Sequence, residues 1–214
     1  RIYMSKGFVI VLVAICALFV GIVAFTGGDD KENSVISNAK PSQHIYSKTD
    51  SKVTLVEYGD FQCPYCYQYE PIVAQVREKY KGKINFQFRN FPLQATHQNA
   101  FAAHRAAEAA HKQNKFWEMH DLLYQNQKQW SEAQSVNPYF ESYAKQIGLD
   151  VNKYKTDFAS KEVNAIINAD MKAGNDLKVT GTPTFFLNGK KTEITADLAS
   201  FEKVIDAAIQ KQGQ

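Results

Sequence analysis

The chain has 214 residues, of which 44% are hydrophobic and 13% aromatic, enough for one sizeable core with an appended subdomain but not for two large domains. Its formal net charge of +3 comes from 25 basic and 22 acidic residues without a basic block, which argues against nucleic-acid binding. Three cysteines, two of them in one motif, are too few for a disulfide scaffold and indicate redox chemistry.

Residues 8–26 form an uncharged apolar stretch that is long enough to cross the ~30 Å hydrocarbon layer as a helix. Basic residues precede it, whereas Asp29 and Asp30 follow, so the positive-inside rule predicts a cytoplasmic N-terminus and an extracytoplasmic remainder. A cleaved signal peptide is the alternative, although the stretch is longer than a usual signal h-region. We predict a cytoplasmic stub and transmembrane anchor over residues 1–26, in a single-pass protein of the cell membrane.

Residues 27–50 are rich in Gly, Asp, Lys, Asn and Ser, a composition typical of a linker. We therefore predict an extracytoplasmic linker over 27–50 and a folded domain over 51–214. His44 and Tyr46 could begin an added strand within the linker.

A hydrophobic strand predicted over residues 53–58 leads into a C-x-x-C pair, and apolar residues then recur at helical spacing as far as Tyr80. Cys63 and Cys66 are expected in the first turn of this helix, where residues i and i+3 share a face. Unsatisfied N–H groups and the positive end of the helix dipole favour a thiolate there, and thiol pKa values can fall to ~3.5–7.5.

A C-x-x-C pair can also be half of a zinc site or a structural disulfide. Zinc needs about four ligands, yet the sequence has no second pair, and Cys16 lies in the apolar stretch. A structural disulfide closing so short a loop would stabilise little. We therefore predict that Cys63 and Cys66 form a redox-active disulfide that needs no further cofactor and no metal.

Residues 84–90 alternate apolar and polar side chains, which predicts a half-buried strand and completes a right-handed βαβ unit. Asn188-Gly189 between two later strand-like runs predicts a hairpin, and a last helix is predicted over 198–210. Between these parts a helical insertion is predicted over about 93–178, with Asn137 as the N-cap of one helix. Its predicted helices cover residues 95–112, 115–127, 138–147 and 161–178.

His97, His104 and His111 recur every seven residues. On one helix this spacing separates each pair by ~10.5 Å, too far to share one metal ion. We predict that they form a solvated or cap-packing face.

This order of elements, with C-P-Y-C at the first helix and Gly181-Thr182-Pro183-Thr184 before the third strand, resembles the DsbA-like branch of the thioredoxin superfamily. The resemblance covers about residues 51–212. It implies an α/β, thioredoxin-like fold, βαβ followed by a helical insertion and ββα, with the N-terminal transmembrane helix added.

The resemblance also implies roles for individual residues. Cys63 would be the attacking nucleophile and Cys66 the buried resolving cysteine, with Pro183 as a cis-proline facing them. Glu57 matches a buried acidic residue of the family and could accept a proton from Cys66; its alternative is an exposed charge at the strand end. A trans Pro183 that starts an edge strand is likewise the alternative to the cis form.

Three neighbours of the pair are expected to modulate the site: Pro64, Tyr65 and Thr182. Tyr65 stands where strongly oxidising members carry a histidine, and C-P-Y-C is also the glutaredoxin motif. The direction of the reaction therefore stays open at this point.

The function implied by the resemblance is that of an extracytoplasmic thiol:disulfide oxidoreductase that introduces disulfide bonds into exported proteins. Its expected partners are unfolded exported proteins with thiols and a membrane quinone-linked reoxidant, DsbB-like or vitamin K epoxide reductase-like. The alternatives are a disulfide reductase or isomerase of the same fold, or a non-enzymatic module that binds a metal or a thiol.

Overall fold

The computed structural model describes residues 39–212 of the chain. The elements alternate as strand, strand, helix and strand, then six consecutive helices, a hairpin and a final helix. In chain order they are β1 (His44–Ile45), β2 (Thr54–Gly59), α1 (Pro64–Lys79), β3 (Asn85–Asn90), α2 (Ala100–His111), α3 (Phe116–Gln125), α4 (Gln127–Trp130), α5 (Asn137–Gln146), α6 (Val151–Phe158), α7 (Lys161–Asp176), β4 (Thr184–Leu187), β5 (Lys190–Thr192) and α8 (Leu198–Gln212).

Within residues 39–212, five strands form one sheet in the order β1-β3-β2-β4-β5. The central pair β2 and β3 is parallel, with Leu55 opposite Phe86, as a βαβ crossover through α1 requires. Strand β4 runs antiparallel to β2 and places Leu187 opposite Leu55. The predicted α/β order of βαβ, helical insertion and ββα is therefore confirmed.

The turn between β4 and β5 has the geometry that its sequence predicts. Asn188 and Gly189 both have positive φ angles, 50° and 78°, and Thr54 donates its N–H to Asn188 Oδ1 at 2.8 Å. A two-residue turn of this kind matches the twist of the flanking strands. The hairpin prediction is confirmed.

Among residues 39–212, buried hydrophobic side chains form three clusters, of which two are large. One joins the sheet to α1 and α8, with Val73, Phe185 and Phe201 at its centre. The other joins Phe61 and Phe88 to the helices of the insertion, and both cysteines belong to it. The cysteine pair thus lies where the insertion packs against the sheet. The small alanine side chains along α2 allow that helix to approach closely.

Two helix starts differ from the predictions. Helix α2 begins at Ala100 rather than residue 95, since Thr96 N–H and His97 N–H both donate to the Leu93 carbonyl in a preceding turn. The predicted N-cap Asn137 is instead the first residue of α5, because Val136 already has helical φ and ψ and is the N-cap. Helices α4 and α6 were not predicted from the sequence.

The domain begins before residue 51. Strand β1 pairs with β3, which confirms the added strand, and Ser42 and His44 are buried. Ser42 N–H and Oγ donate to Asp170, at 2.8 and 2.6 Å. The predicted linker over residues 27–50 is therefore too long at its C-terminal end, because these contacts fix residues 42–45 to the domain.

The predicted membrane anchor over residues 8–26 lies outside the described residues. Of the helices found between residues 39 and 212, none combines the length and the apolar composition that a membrane span needs.

Candidate active site

The cysteine pair lies at the start of α1. Cys63 is the N-cap, with φ −64° and ψ 125°, and not part of the first turn as predicted; Cys66 is inside the helix. Cys63 N–H donates to the Asp60 carbonyl at 3.1 Å, which fixes the approach to the helix. Both cysteines are unbonded thiols and are buried, with 3% and 1% exposed, whereas Pro64 and Tyr65 between them are exposed.

The two thiols differ in acidity. The pKa of Cys63 is lowered from 9.0 to about 6, first by the hydrogen bond from the Cys66 side chain and then, against the cost of burial, by the Thr182 side chain and the backbone N–H groups of Cys66 and Tyr65. Burial raises the pKa of Cys66 well above its usual range, and its hydrogen bond to Cys63 adds to this. Cys63 is therefore the thiolate of the pair near neutral pH.

The loop before β4 brings a proline beside the cysteines. The Thr182–Pro183 peptide bond is cis, so the trans alternative for Pro183 is wrong. Cys63 Sγ lies 3.3 Å from the Thr182 carbonyl oxygen, to which it donates when it is protonated. Thr184 Oγ1 donates to the Gly181 carbonyl at 2.7 Å and ties the two ends of this loop together. The structure thus has the cis form of Pro183 that the resemblance implies, and it places Thr182 in contact with Cys63.

Glu57 lies within β2 and is only 2% exposed, which excludes the alternative of an exposed strand-end charge. Burial raises its pKa from 4.5 to about 8, and the negative charges of Glu70 and Cys63 add to the effect. In the part of the chain that the structure describes, its Oε2 atom has no hydrogen-bond partner. Glu57 is therefore a neutral carboxyl at pH 7 that interacts electrostatically with both cysteines.

Hydrogen bonds between the insertion and the cysteine loop hold that loop in place, and they were not predicted from the sequence. Gln127 Nε2 donates to the carbonyl oxygens of Phe61 and Cys63, at 2.8 and 3.0 Å. Gln62 Nε2 donates in turn to the Ser131 carbonyl at 2.8 Å. Nothing in the local sequence marks Gln127, because its partners lie more than sixty residues earlier in the chain.

The histidines do not share one helix face. His97 precedes α2 and is bound to Asp60, His104 is buried against Asn90 and Phe61, and His111 is exposed. The prediction of a solvated or cap-packing face therefore fits His104 and His111 but not His97.

Within residues 39–212, one group of side chains has ligand atoms close enough to hold a metal ion. Glu70, His120 and Asp121 place their ligand atoms within 4.8 Å of one another. The Arg77 guanidinium donates to Glu70 at 2.6 Å and to Asp121 at 2.9 Å, so a cation is already present between these carboxylates. We interpret the group as a buried ion-pair network that stabilises α1 against α3.

A helix N-cap cysteine of lowered pKa, a buried partner thiol and an adjacent cis-proline define a dithiol exchange site. The thioredoxin family model matches residues 39–207. The probable disulfide bond formation protein D of Bacillus cereus is 32% identical over 202 residues, which cover 91% of this chain and 92% of that protein. The chain belongs to the thioredoxin family and, within it, to the DsbA-like thiol–disulfide oxidoreductases.

Other relatives are much longer than this chain. The Na(+)/H(+) antiporter NhaA 3 of Salinispora tropica is 38% identical over 148 residues, which cover 69% of this chain but only 22% of the antiporter. The chain therefore spans about a quarter or less of the length of the antiporter relatives.

Solved structures share the fold. Oxidised BdbD from Bacillus subtilis superposes with a TM-score of 0.70 at 22% identity, covering 80% of this chain and 97% of that one. The alpha-DsbA1 protein from Wolbachia pipientis gives a TM-score of 0.67 at 22% identity, covering 80% of this chain and 93% of that one.

Proposed function

We propose that the chain is an extracytoplasmic thiol:disulfide oxidoreductase that introduces disulfide bonds into exported proteins through Cys63 and Cys66. The observation that carries the proposal is the position of the two thiols, with Cys63 at the N-cap of α1 and Cys66 buried inside the helix. This arrangement lowers the pKa of Cys63 to about 6 and raises that of Cys66. A stable Cys63 thiolate favours the reduced enzyme and so makes the disulfide form an oxidant.

In the first step, a substrate thiolate attacks Cys63 Sγ of the Cys63–Cys66 disulfide. A new sulfur–sulfur bond forms to the substrate and the bond to Cys66 breaks, leaving the electron pair on Cys66. Because its pKa is raised by burial, Cys66 takes up a proton. The neutral carboxyl of Glu57, which acts electrostatically on Cys66, supplies this proton through an intervening water.

In the second step, another thiolate of the same substrate attacks the substrate sulfur of the mixed disulfide. The substrate leaves with a disulfide, and Cys63 departs as a thiolate, so two electrons have passed from substrate to enzyme. The N–H groups at the start of α1 stabilise this leaving group. The Thr182 and Pro183 backbone next to Cys63 supports the binding of an extended substrate segment.

The location and the partners are also part of the proposal. The apolar residues 8–26 anchor the chain in the cell membrane, with the domain outside, and a quinone-linked membrane protein reoxidises the pair. The charge asymmetry around residues 8–26 supports this orientation. Protease added to intact spheroplasts should remove the domain, whereas full protection would contradict the topology.

The activity can be tested with the oxidised full chain and a reduced, unfolded protein that has two thiols. A Cys16→Ser background leaves only the pair to react. We expect the substrate to lose two thiols for every two that the enzyme gains. With a Cys63→Ser variant, the thiol content of substrate and enzyme should stay unchanged. Absence of thiol transfer from the oxidised chain, with efficient reduction of substrate disulfides by the reduced chain, would favour a reductase instead.

A further inference from the structure

His97 lies outside the cysteine motif but is bound to Asp60, three residues before Cys63. Its Nδ1 atom is 2.7 Å from Asp60 Oδ2, and the Asp60 side chain is completely buried while that of His97 is 17% exposed. His97 N–H donates to the Leu93 carbonyl at 2.9 Å, in the turn that connects β3 to α2. The hydrogen bond to Leu93 fixes the backbone of His97, and the contact with Asp60 fixes its ring against the cysteine loop.

Several hydrogen bonds besides the one to His97 fix the position of Asp60. Its carboxylate also accepts hydrogen bonds from the N–H groups of Gln62, at 2.8 Å, and Leu93, at 2.9 Å. Its carbonyl oxygen accepts the N–H of Cys63 at 3.1 Å. A negative charge is therefore held three residues before the reactive thiol, inside the protein, where charges are weakly screened.

Because Asp60 accepts the N–H groups of Gln62 and Cys63, its carboxylate belongs to the same tight turn as Cys63, and a negative charge in that turn opposes a second one on the Cys63 sulfur. The charge of His97 counters it. The hydrogen bond to Asp60 raises the pKa of His97, with burial acting against it, and the negative charge of Cys63 raises the pKa further. Glu132 is the remaining charged group that acts on His97 in the same direction.

The interaction between His97 and Cys63 is reciprocal. If the thiolate favours the imidazolium, the imidazolium must favour the thiolate by the same free energy. Tyr65, between the two cysteines, is exposed and carries no positive charge. His97 is the histidine on which the charge of Cys63 acts, and it lies within two hydrogen bonds of the Cys63 backbone.

We propose that His97 is a positioning residue for thiol–disulfide exchange: its imidazolium, paired with Asp60, cancels the negative charge that would otherwise oppose the Cys63 thiolate. This inference rests on the proposed role of Cys63 as the reactive thiol. His97 thereby sets the fraction of Cys63 that is ionised and, with it, the oxidising strength of the disulfide form.

The test uses the full chain in a Cys16→Ser background with three variants. His97→Gln keeps a polar side chain near Asp60 but removes the charge, and His97→Arg restores a cation. His111→Gln is the matched control, because it removes an exposed histidine that contacts His44 and Phe116 rather than the cysteine loop. Ultraviolet absorbance of the thiolate gives the pKa of Cys63 in each, and NMR gives the pKa of His97 in both redox states.

We expect His97→Gln to raise the pKa of Cys63 by about 0.5–1 unit, as loss of a nearby opposite charge does in partly exposed sites. His97→Arg should stay near the unsubstituted value, and His111→Gln should match it. In the unsubstituted chain, the pKa of His97 should be higher in the reduced than in the oxidised form, which a merely structural histidine would not show.

An unchanged Cys63 pKa in His97→Gln, or an identical His97 pKa in the two redox states, would overturn the role of His97 but leave the proposed function intact. A Cys63 pKa in the ordinary thiol range in the unsubstituted chain would overturn the proposed function as well.

Discussion

Cys63 Sγ lies 3.3 Å from the carbonyl oxygen of Thr182, the residue whose peptide bond to Pro183 is cis. This contact joins the start of α1 to the start of β4, two places 119 residues apart in the chain. A substrate sulfur that reaches Cys63 therefore meets the backbone of residues 182 and 183 at the same time. The fold thus places the exchanging sulfur and a backbone contact for an extended segment side by side.

The roles of the two cysteines predict opposite behaviour of their single variants. Cys66→Ala keeps the reactive Cys63 but removes the resolving thiol, so mixed disulfides with substrate should accumulate on non-reducing gels. Cys63→Ala should give no adducts. Cys66→Ala removes the hydrogen bond from Cys66 and should raise the pKa of Cys63, but the N–H groups at the start of α1 still lower it. Alkylation near neutral pH should therefore be faster in Cys66→Ala than in Cys63→Ala, whose remaining thiol is buried with a raised pKa. Equal labelling rates and no trapped substrate in either variant would show that the nucleophile is misassigned.

The stability of the reduced form should depend on pH through Cys63. Its pKa is lowered on folding from 9.0 to about 6, so the stabilisation is complete above pH 9 and is lost as the pH falls through about 6. The oxidised form has no such thiol and serves as the control. Denaturant titrations should therefore show the reduced form more stable at pH 8, with the difference shrinking towards pH 5. A higher stability of the oxidised form at pH 8 would contradict the account.

Replacing Glu57 by Gln should separate its cost in stability from its use in catalysis. Folding raises the pKa of Glu57 from 4.5 to about 8, so it destabilises the native state increasingly as the pH rises between these values. Glu57→Gln should therefore be more stable than the unsubstituted oxidised chain at pH 8, by on the order of 1–3 kcal/mol. Protonation of Cys66 after substrate attack should be slower in the variant.

The exposed Glu193 offers a control for the Glu57 experiment, since Glu193→Gln also removes one carboxylate. It should change neither the stability nor the exchange rate appreciably. A Glu57→Gln variant that behaves like Glu193→Gln would remove Glu57 from the mechanism.

Gln127 should stabilise the cysteine loop through the two carbonyl oxygens that it binds. Gln127→Ala leaves both oxygens without this donor and should lower the free energy of unfolding by about 1–3 kcal/mol. Gln129→Ala, at an exposed position of the same short helix, should have little effect. Chemical denaturation of the two variants makes the comparison, and equal losses would show that the hydrogen bonds to the loop are unimportant.

Local patterns were enough to predict most of the architecture. The alternation in β3, the Asn188-Gly189 turn and the cysteine spacing each depend on neighbours in the sequence, and the structure has the corresponding strand, hairpin and helix start. Helix α6 was missed even though Asp150 caps it by accepting the Lys153 N–H, because the segment is short and largely polar.

The surroundings of the site were harder to predict, because they depend on contacts between distant segments. The burial of Glu57 follows from its central strand, which α1 and the insertion cover, and a strand-end position in the sequence does not reveal this. The pairing of His97 with Asp60 depends on where β3 ends and how the next turn folds. The seven-residue spacing of the histidines suggested a shared helix, whereas α2 begins after His97.

The reduction potential of the Cys63–Cys66 pair tests the central claim most directly. Equilibration of the full chain with defined ratios of reduced and oxidised thiol buffer gives the fraction of disulfide at each potential. The lowered pKa of Cys63 predicts a value clearly above the thioredoxin value of about −270 mV, in the range of oxidants. A potential at or below about −270 mV would contradict the proposed oxidase and show the pair to be a reductant.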